Sequence, residues 1–132
     1  MNRVGEELAL VRSVFPDAEH REEGGAHWVR IPEYPLPTGV FKQGGSTDLA
    51  FRIPTQPGEA PYGFWVRPGL ALASGAALNN YSYPTATPWG ADWGQFSWSP
   101  EGGIWIPKTD IRAGANMLNF VRSFADRLKE GA

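Results

Sequence analysis

The amino-acid sequence predicts an α+β domain in which helices pack on one face of an antiparallel sheet. Three observations predict it. A helical period near the start and a stronger one at the end bracket segments that alternate at the strand period. Hydrophobic residues make up 42% of the 132 residues and aromatics 13%, enough apolar material for one buried core but not two. The 16 Gly and 12 Pro exclude a helical bundle, because both break helix interiors, and they call for long loops. One domain spanning residues 1–132 is the expectation, without internal repeats.

Taken in order, residues 5–15 place Leu8, Val11 and Phe15 at helical spacing, with Glu6 and Glu7 where a helix N-terminus favours negative charge. Pro16 should stop that helix. From His27 to Ile31 the chain alternates: His27, Val29 and Ile31 face one way, Trp28 and Arg30 the other, and Pro32 ends the strand. Thr47 to Ile53 repeats the pattern with Leu49, Phe51 and Ile53, and Tyr62 to Arg67 offers a further strand containing Phe64, Trp65 and Val66. These make an antiparallel meander of three or four strands. From Pro68 to about Gly103 no period holds, which predicts a long ordered loop of the kind that carries function. Asp110 to Glu130 sets Met117, Val121, Phe124 and Leu128 on one stripe, with Arg112, Asp126 and Lys129 outside it, and predicts the longest helix.

Charge and residue usage exclude several functions. With 12 basic and 14 acidic side chains the formal net charge is −2, and no basic stripe exists to neutralise a phosphate backbone, so nucleic acid is not an expected partner. No apolar run approaches the roughly 20 residues that cross a bilayer, and the first residues lack a signal peptide's apolar core, so no membrane association and a cytoplasmic location are expected. The chain has no Cys, which removes disulfides, thiolate metal sites and thiol catalysis; only His20 and His27 supply imidazoles. No metal or cofactor is expected.

The stretch from Asp48 to Val66 contains Pro54, Pro57 and Pro61. It resembles the ubiquitin-conjugating superfamily, in which a strand ending in Pro leads to a Pro-x-x-x-Pro turn, the next strand and an active-site flap. Each proline fixes φ and withholds a donor where sheet pairing stops. Trp105-Ile-Pro107 ahead of the last helix is similar to that family's segment in the same place, and the resemblance covers nearly the whole chain. Tyr34-Pro-Leu-Pro-Thr-Gly39 together with Thr47-Asp48-Leu49 is similar to a bacterial branch found beside ubiquitin-like proteins and activating enzymes. That branch carries a basic or His residue after a Trp-aromatic-Ser stretch, where this sequence has Phe96-Ser-Trp98-Ser-Pro100. The resemblance implies a ubiquitin-conjugating-like fold with a long active-site-type loop. It also implies a ubiquitin-like protein and an activating enzyme as partners, and transfer of the modifier's C-terminus to a target. Operons of this kind suggest antiviral defence.

Counted forward from Pro61, the family's cysteine falls near residue 81, in Asn79-Asn80-Tyr81-Ser82-Tyr83-Pro84. Ser82 is the nearest nucleophile, and the resemblance gives Asn79 or Asn80 the role of hydrogen-bonding the oxyanion of acyl transfer. Three readings of the missing thiol stand side by side. The chain is a non-catalytic binding module; or Ser82, or a neighbouring Ser74, Thr85 or Thr87, carries the acyl group; or a cysteine has been replaced, with Ala76, Ala77, Ala86 or Ser82 marking its place. Plainer roles suit the same residues: Ser82 as a polar loop residue, His27 as a partly buried strand histidine, and Trp89, Trp93, Trp98 and Trp105 as pins holding a glycine-rich loop. An aromatic sugar- or peptide-binding platform is a third class. Asp92 and Glu101 are separated by a loop whose shape the sequence does not give, so it supports no glycosidase pair.

Overall fold

A computed structural model describes residues 3–42, 44–54, 60–67, 70–99 and 116–130. Its elements are α1 (Arg3–Arg12), β1 (Glu19–Glu23), β2 (Ala26–Pro35), β3 (Ser46–Pro54), β4 (Phe64–Arg67), β5 (Tyr81–Thr87), β6 (Gly90–Phe96) and α2 (Met117–Glu130). The six strands form one antiparallel sheet in the order β1-β2-β3-β4-β6-β5. Alternation decides its faces. Val29, Ile31, Leu49, Phe51, Ile53, Phe64, Val66 and Phe96 point into the main core, where they meet Leu8 and Val11 of α1 and the stripe Met117, Val121, Phe124 and Leu128 of α2. All four stripe residues are buried, as their spacing predicts, whereas Asp126 and Lys129 are exposed.

Helix α2 is capped twice. Asn116 Oδ1 accepts the Asn119 N–H at 2.8 Å, and Glu7 of α1 reaches across to accept the Met117 N–H, also at 2.8 Å. A buried carboxylate at a helix N-terminus meets both the orphan donors and the positive end of the dipole. Glu7 therefore serves a second helix rather than its own. Helix α1 ends at Arg12, earlier than Phe15, although the Phe15 N–H still donates to the Val11 carbonyl at 2.8 Å.

Three expectations need correction. Pro32 does not end its strand: β2 runs on to Pro35 through a register shift between Ile31 and Tyr34, with Glu33 at φ 57°. A bulge leaves one residue unpaired, so a proline there forfeits no ladder bond. Within the long loop expected over 68–103, the described residues 70–99 contain β5 and β6, and the meander of three or four strands becomes a sheet of six among the described residues. The edge strand β1 gave no apolar alternation at all; its sequence, Glu-His-Arg-Glu-Glu, is mostly exposed and fits an edge kept soluble by charge. Pro54 closes β3 and Pro61 lies three residues ahead of β4, as their spacing predicts. Pro57, Trp105, Pro107, Asp110 and Arg112 lie outside the described residues. Among the described residues no helix is long and apolar enough to cross a membrane.

Tyr34 ties the sheet to α2: its hydroxyl donates to the Val121 carbonyl at 2.8 Å, and burial pushes its pKa up to about 12. The folded state thus holds this proton more tightly than the unfolded chain, so the contribution is complete below pH 10.0, the ordinary value, and is lost as pH rises toward 12. Tyr34→Phe should cost about 1 kcal/mol at neutral pH. It should also flatten that alkaline loss, as chemical denaturation at a series of pH values will read. An unchanged alkaline profile would refute the assignment.

Candidate functional site

The start of β4, the end of β6 and the start of β5 meet at one end of the sheet, and the 79–82 segment is built there. Phe64 pairs with Phe96, and Phe96 with Tyr81, so all three rings share the core face; the Phe64 and Phe96 rings stack at 5.0 Å. Gly63 enters β4 at φ 81°, and its N–H donates to the Trp98 carbonyl at 2.6 Å. Trp98 then donates its indole N–H to Ser123 of α2 at 2.9 Å. Trp98 is thus a pin, the plainer of its two roles.

Asn79 and Asn80 form the turn before β5, and both are exposed. Asn80 adopts φ 53°, a left-handed conformation that asparagine tolerates better than most residues. Two bonds fix the turn: the Ser97 N–H donates to the Asn80 carbonyl at 2.8 Å, and Arg127 of α2 donates from Nη2 to the Asn79 carbonyl at 2.6 Å. Arg127 is only 3% exposed and lies over the Phe96 ring at 4.8 Å; burial lowers its pKa, against the pull of Glu130. A buried cation on a backbone carbonyl holds both asparagine side chains outward.

Ser82 follows on β5, opposite Gln95, and Gln95 lies opposite Trp65. Directly paired residues share a face, so the exposed Ser82 hydroxyl points to the side of the sheet away from both helices. Neither imidazole lies near it: His20 belongs to β1 and His27 to β2, at the opposite edge of the sheet from β5. There His20 Nε2 lies 3.1 Å from His27 Nδ1. Burial, then His27 and Arg12, lower the His20 pKa, with Glu22 acting the other way. His27 is a paired strand histidine.

The other hydroxyls have structural partners. Thr85 donates to the Trp93 carbonyl at 2.9 Å, Thr87 accepts the Trp89 N–H at 3.1 Å, and Ser74 accepts the Ala76 N–H at 3.3 Å. Ala76, Ala77 and Ala86 are exposed. Asp92 lies 3.9 Å from Arg67, and Glu101 is outside the described residues. No group of three metal-ligating side chains occurs among the described residues.

Sequence reading missed the part played by Tyr81. Its ring crosses β6 at Gly94, where an added Cβ would overlap the phenol, and its hydroxyl accepts the Leu70 N–H at 2.9 Å. Burial raises its pKa, and the Leu70 bond opposes the rise. A glycine inside a strand pattern is the signal that a close approach takes place there.

A family model described as prokaryotic E2 family E matches residues 12–123. No curated protein and no solved structure matches the chain.

Gly94→Ala should destabilise the protein by about 1–3 kcal/mol, because Tyr81 must leave its place over β6. Gly44→Ala, where a Cβ meets nothing within 4 Å, is the control. Equal melting temperatures for the two variants would disprove the close approach.

Proposed function

Since the chain belongs to the prokaryotic E2 family E, whose model spans residues 12–123, we propose that it is a conjugating-type component of a bacterial ubiquitin-like modifier pathway. It receives the modifier's C-terminus from an activating enzyme and passes it to a target. The family match carries this reading. The exposure of Asn79, Asn80 and Ser82 supports it: a hydroxyl near the start of β5 follows a turn of two amide side chains whose backbone Arg127 holds.

In that reading Ser82 Oγ attacks the thioester carbonyl of the charged activating enzyme. The Oγ–carbon bond forms, the carbon–sulfur bond breaks, and the serine proton leaves with the thiol. An amide N–H of Asn80 or Asn79 stabilises the tetrahedral oxyanion. A target amine then attacks the oxyester, and its proton returns to Ser82.

One observation favours a second reading, a non-catalytic module that binds the ubiquitin-like protein or the activating enzyme. The chain has no Cys, a serine hydroxyl has almost no ionised fraction at neutral pH without a base, and both histidines stand on strands at the other edge of the sheet. Mixing the protein with an activating enzyme, ATP and a ubiquitin-like protein separates the two. Transfer yields a covalent adduct that hydroxylamine cleaves and Ser82→Ala abolishes. Binding without an adduct supports the module, and neither adduct nor binding refutes both.

A further inference from the structure

On the sheet face without helices the described residues include four guanidinium groups, and three of them have carboxylates. Arg30 lies 2.7 Å from Glu19 and 2.8 Å from Asp48; Arg67 lies 2.8 Å from Asp48 and 3.9 Å from Asp92; Arg21 lies 3.9 Å from Glu23. Arg52 is the exception. Among the described residues it meets no carboxylate, and its exposed side chain rests on aromatic rings alone, 5.5 Å from the Trp28 centroid and 5.4 Å from that of Trp65.

Trp28 is 7% exposed and Trp65 4%, so Arg52 stands on a nearly buried indole floor. The side chain is thus positioned before any ligand arrives, which reduces the ordering entropy that binding costs. Its donors open into a shallow groove of about 310 Å³. One wall is the β1–β2 turn with Glu23; the other is the β5–β6 tip with Ala86, Thr87 and Pro88. The tip is fixed in place: Arg21 donates to the Pro88 carbonyl at 2.8 Å, the Trp89 indole N–H donates to Glu19 at 3.1 Å, and Arg67 donates to the Trp89 carbonyl at 3.1 Å.

We propose that this groove receives an extended, mostly apolar segment of a partner protein, with its one Asp or Glu side chain paired to Arg52 and its apolar neighbours lying against Trp28 and Pro88. Charge selects this occupant. A lone guanidinium takes a carboxylate in a charge-assisted, two-point geometry. Glu23 on the wall repels a polyanion, so phosphate chains and nucleic acid are disfavoured while a single carboxylate among apolar residues is accepted. The proposal does not depend on acyl transfer.

The test titrates the ¹⁵N-labelled full chain with an acetylated, amidated peptide of alanine and valine carrying one central glutamate, following the indole N–H signals of Trp28 and Trp65. Saturable shifts are expected, with roughly tenfold weaker binding for the glutamine version of the peptide and loss of the shifts in Arg52→Gln. Should that variant fail to fold, Glu23→Gln provides a second arm, expected to tighten binding severalfold by removing the opposing charge. The proposal is overturned by the absence of saturable shifts, by equal binding of the glutamine peptide, by unchanged binding in Arg52→Gln or Glu23→Gln, or by inorganic phosphate giving the same shifts at the same affinity.

Discussion

The Phe124 ring lies 4.3 Å from that of Phe64 and 5.8 Å from that of Phe51, so one side chain of α2 joins β3 and β4. Phe120 meets Phe124 edge-on at 4.7 Å and Phe51 at 6.1 Å, which closes a four-ring cluster at the centre of the core. Truncating such a ring costs about 3–5 kcal/mol. The position of α2 matters beyond its own burial, because the other tethers hang from it. Tyr34 reaches Val121, Trp98 reaches Ser123, and Arg127 holds the turn at Asn79. A shift of α2 by one turn would release all three. The geometry of the 79–82 segment is therefore a consequence of aromatic packing some distance away.

The opposite face solves a different problem. Among the described residues helices cover one side of the sheet, yet Trp28, Trp65 and Trp93 are almost fully buried on the other. Guanidinium groups and the hairpin tip exclude water there: Arg67 lies 4.7 Å from the Trp93 centroid, and Arg21 lies 5.3 Å from that of Trp89. Asp48 bridges Arg30 and Arg67. Because the tip bonds to β1, the first and last strands of the sheet are joined across this face. The exposed edges are also poor templates for pairing, since β1 is charged along its length and β5 carries Pro84, which has no N–H to offer.

What could be read from the sequence followed the strength of the period. The α2 stripe and the β3 alternation were legible residue by residue, because amphipathic burial imposes a pattern that composition cannot imitate. The prolines at 54 and 61 marked strand limits correctly, and the resemblance built on them agrees with the family match. The β5–β6 hairpin was not legible. Pro84, Gly90 and Gly94 interrupt its alternation, and register shifts at Ser82/Thr85 and Thr85/Thr87 break the period of two. Nor could a local reading show that Glu7 caps α2, a contact between residues 110 positions apart. For the site, sequence placed Asn79, Asn80 and Ser82 together by adjacency. The buried support of Arg127 needed the fold.

The chemistry of the segment turns on a proton. A cysteine at this place would need little help, since a thiol near neutral pH carries a usable thiolate fraction. A hydroxyl needs an acceptor, and both imidazoles are at the far edge of the sheet, bonded to each other. Transfer through Ser82 requires a proton acceptor other than these two imidazoles. Binding requires none. The catalytic and non-catalytic readings therefore share a fold, a turn and a tether, and differ by a single proton acceptor.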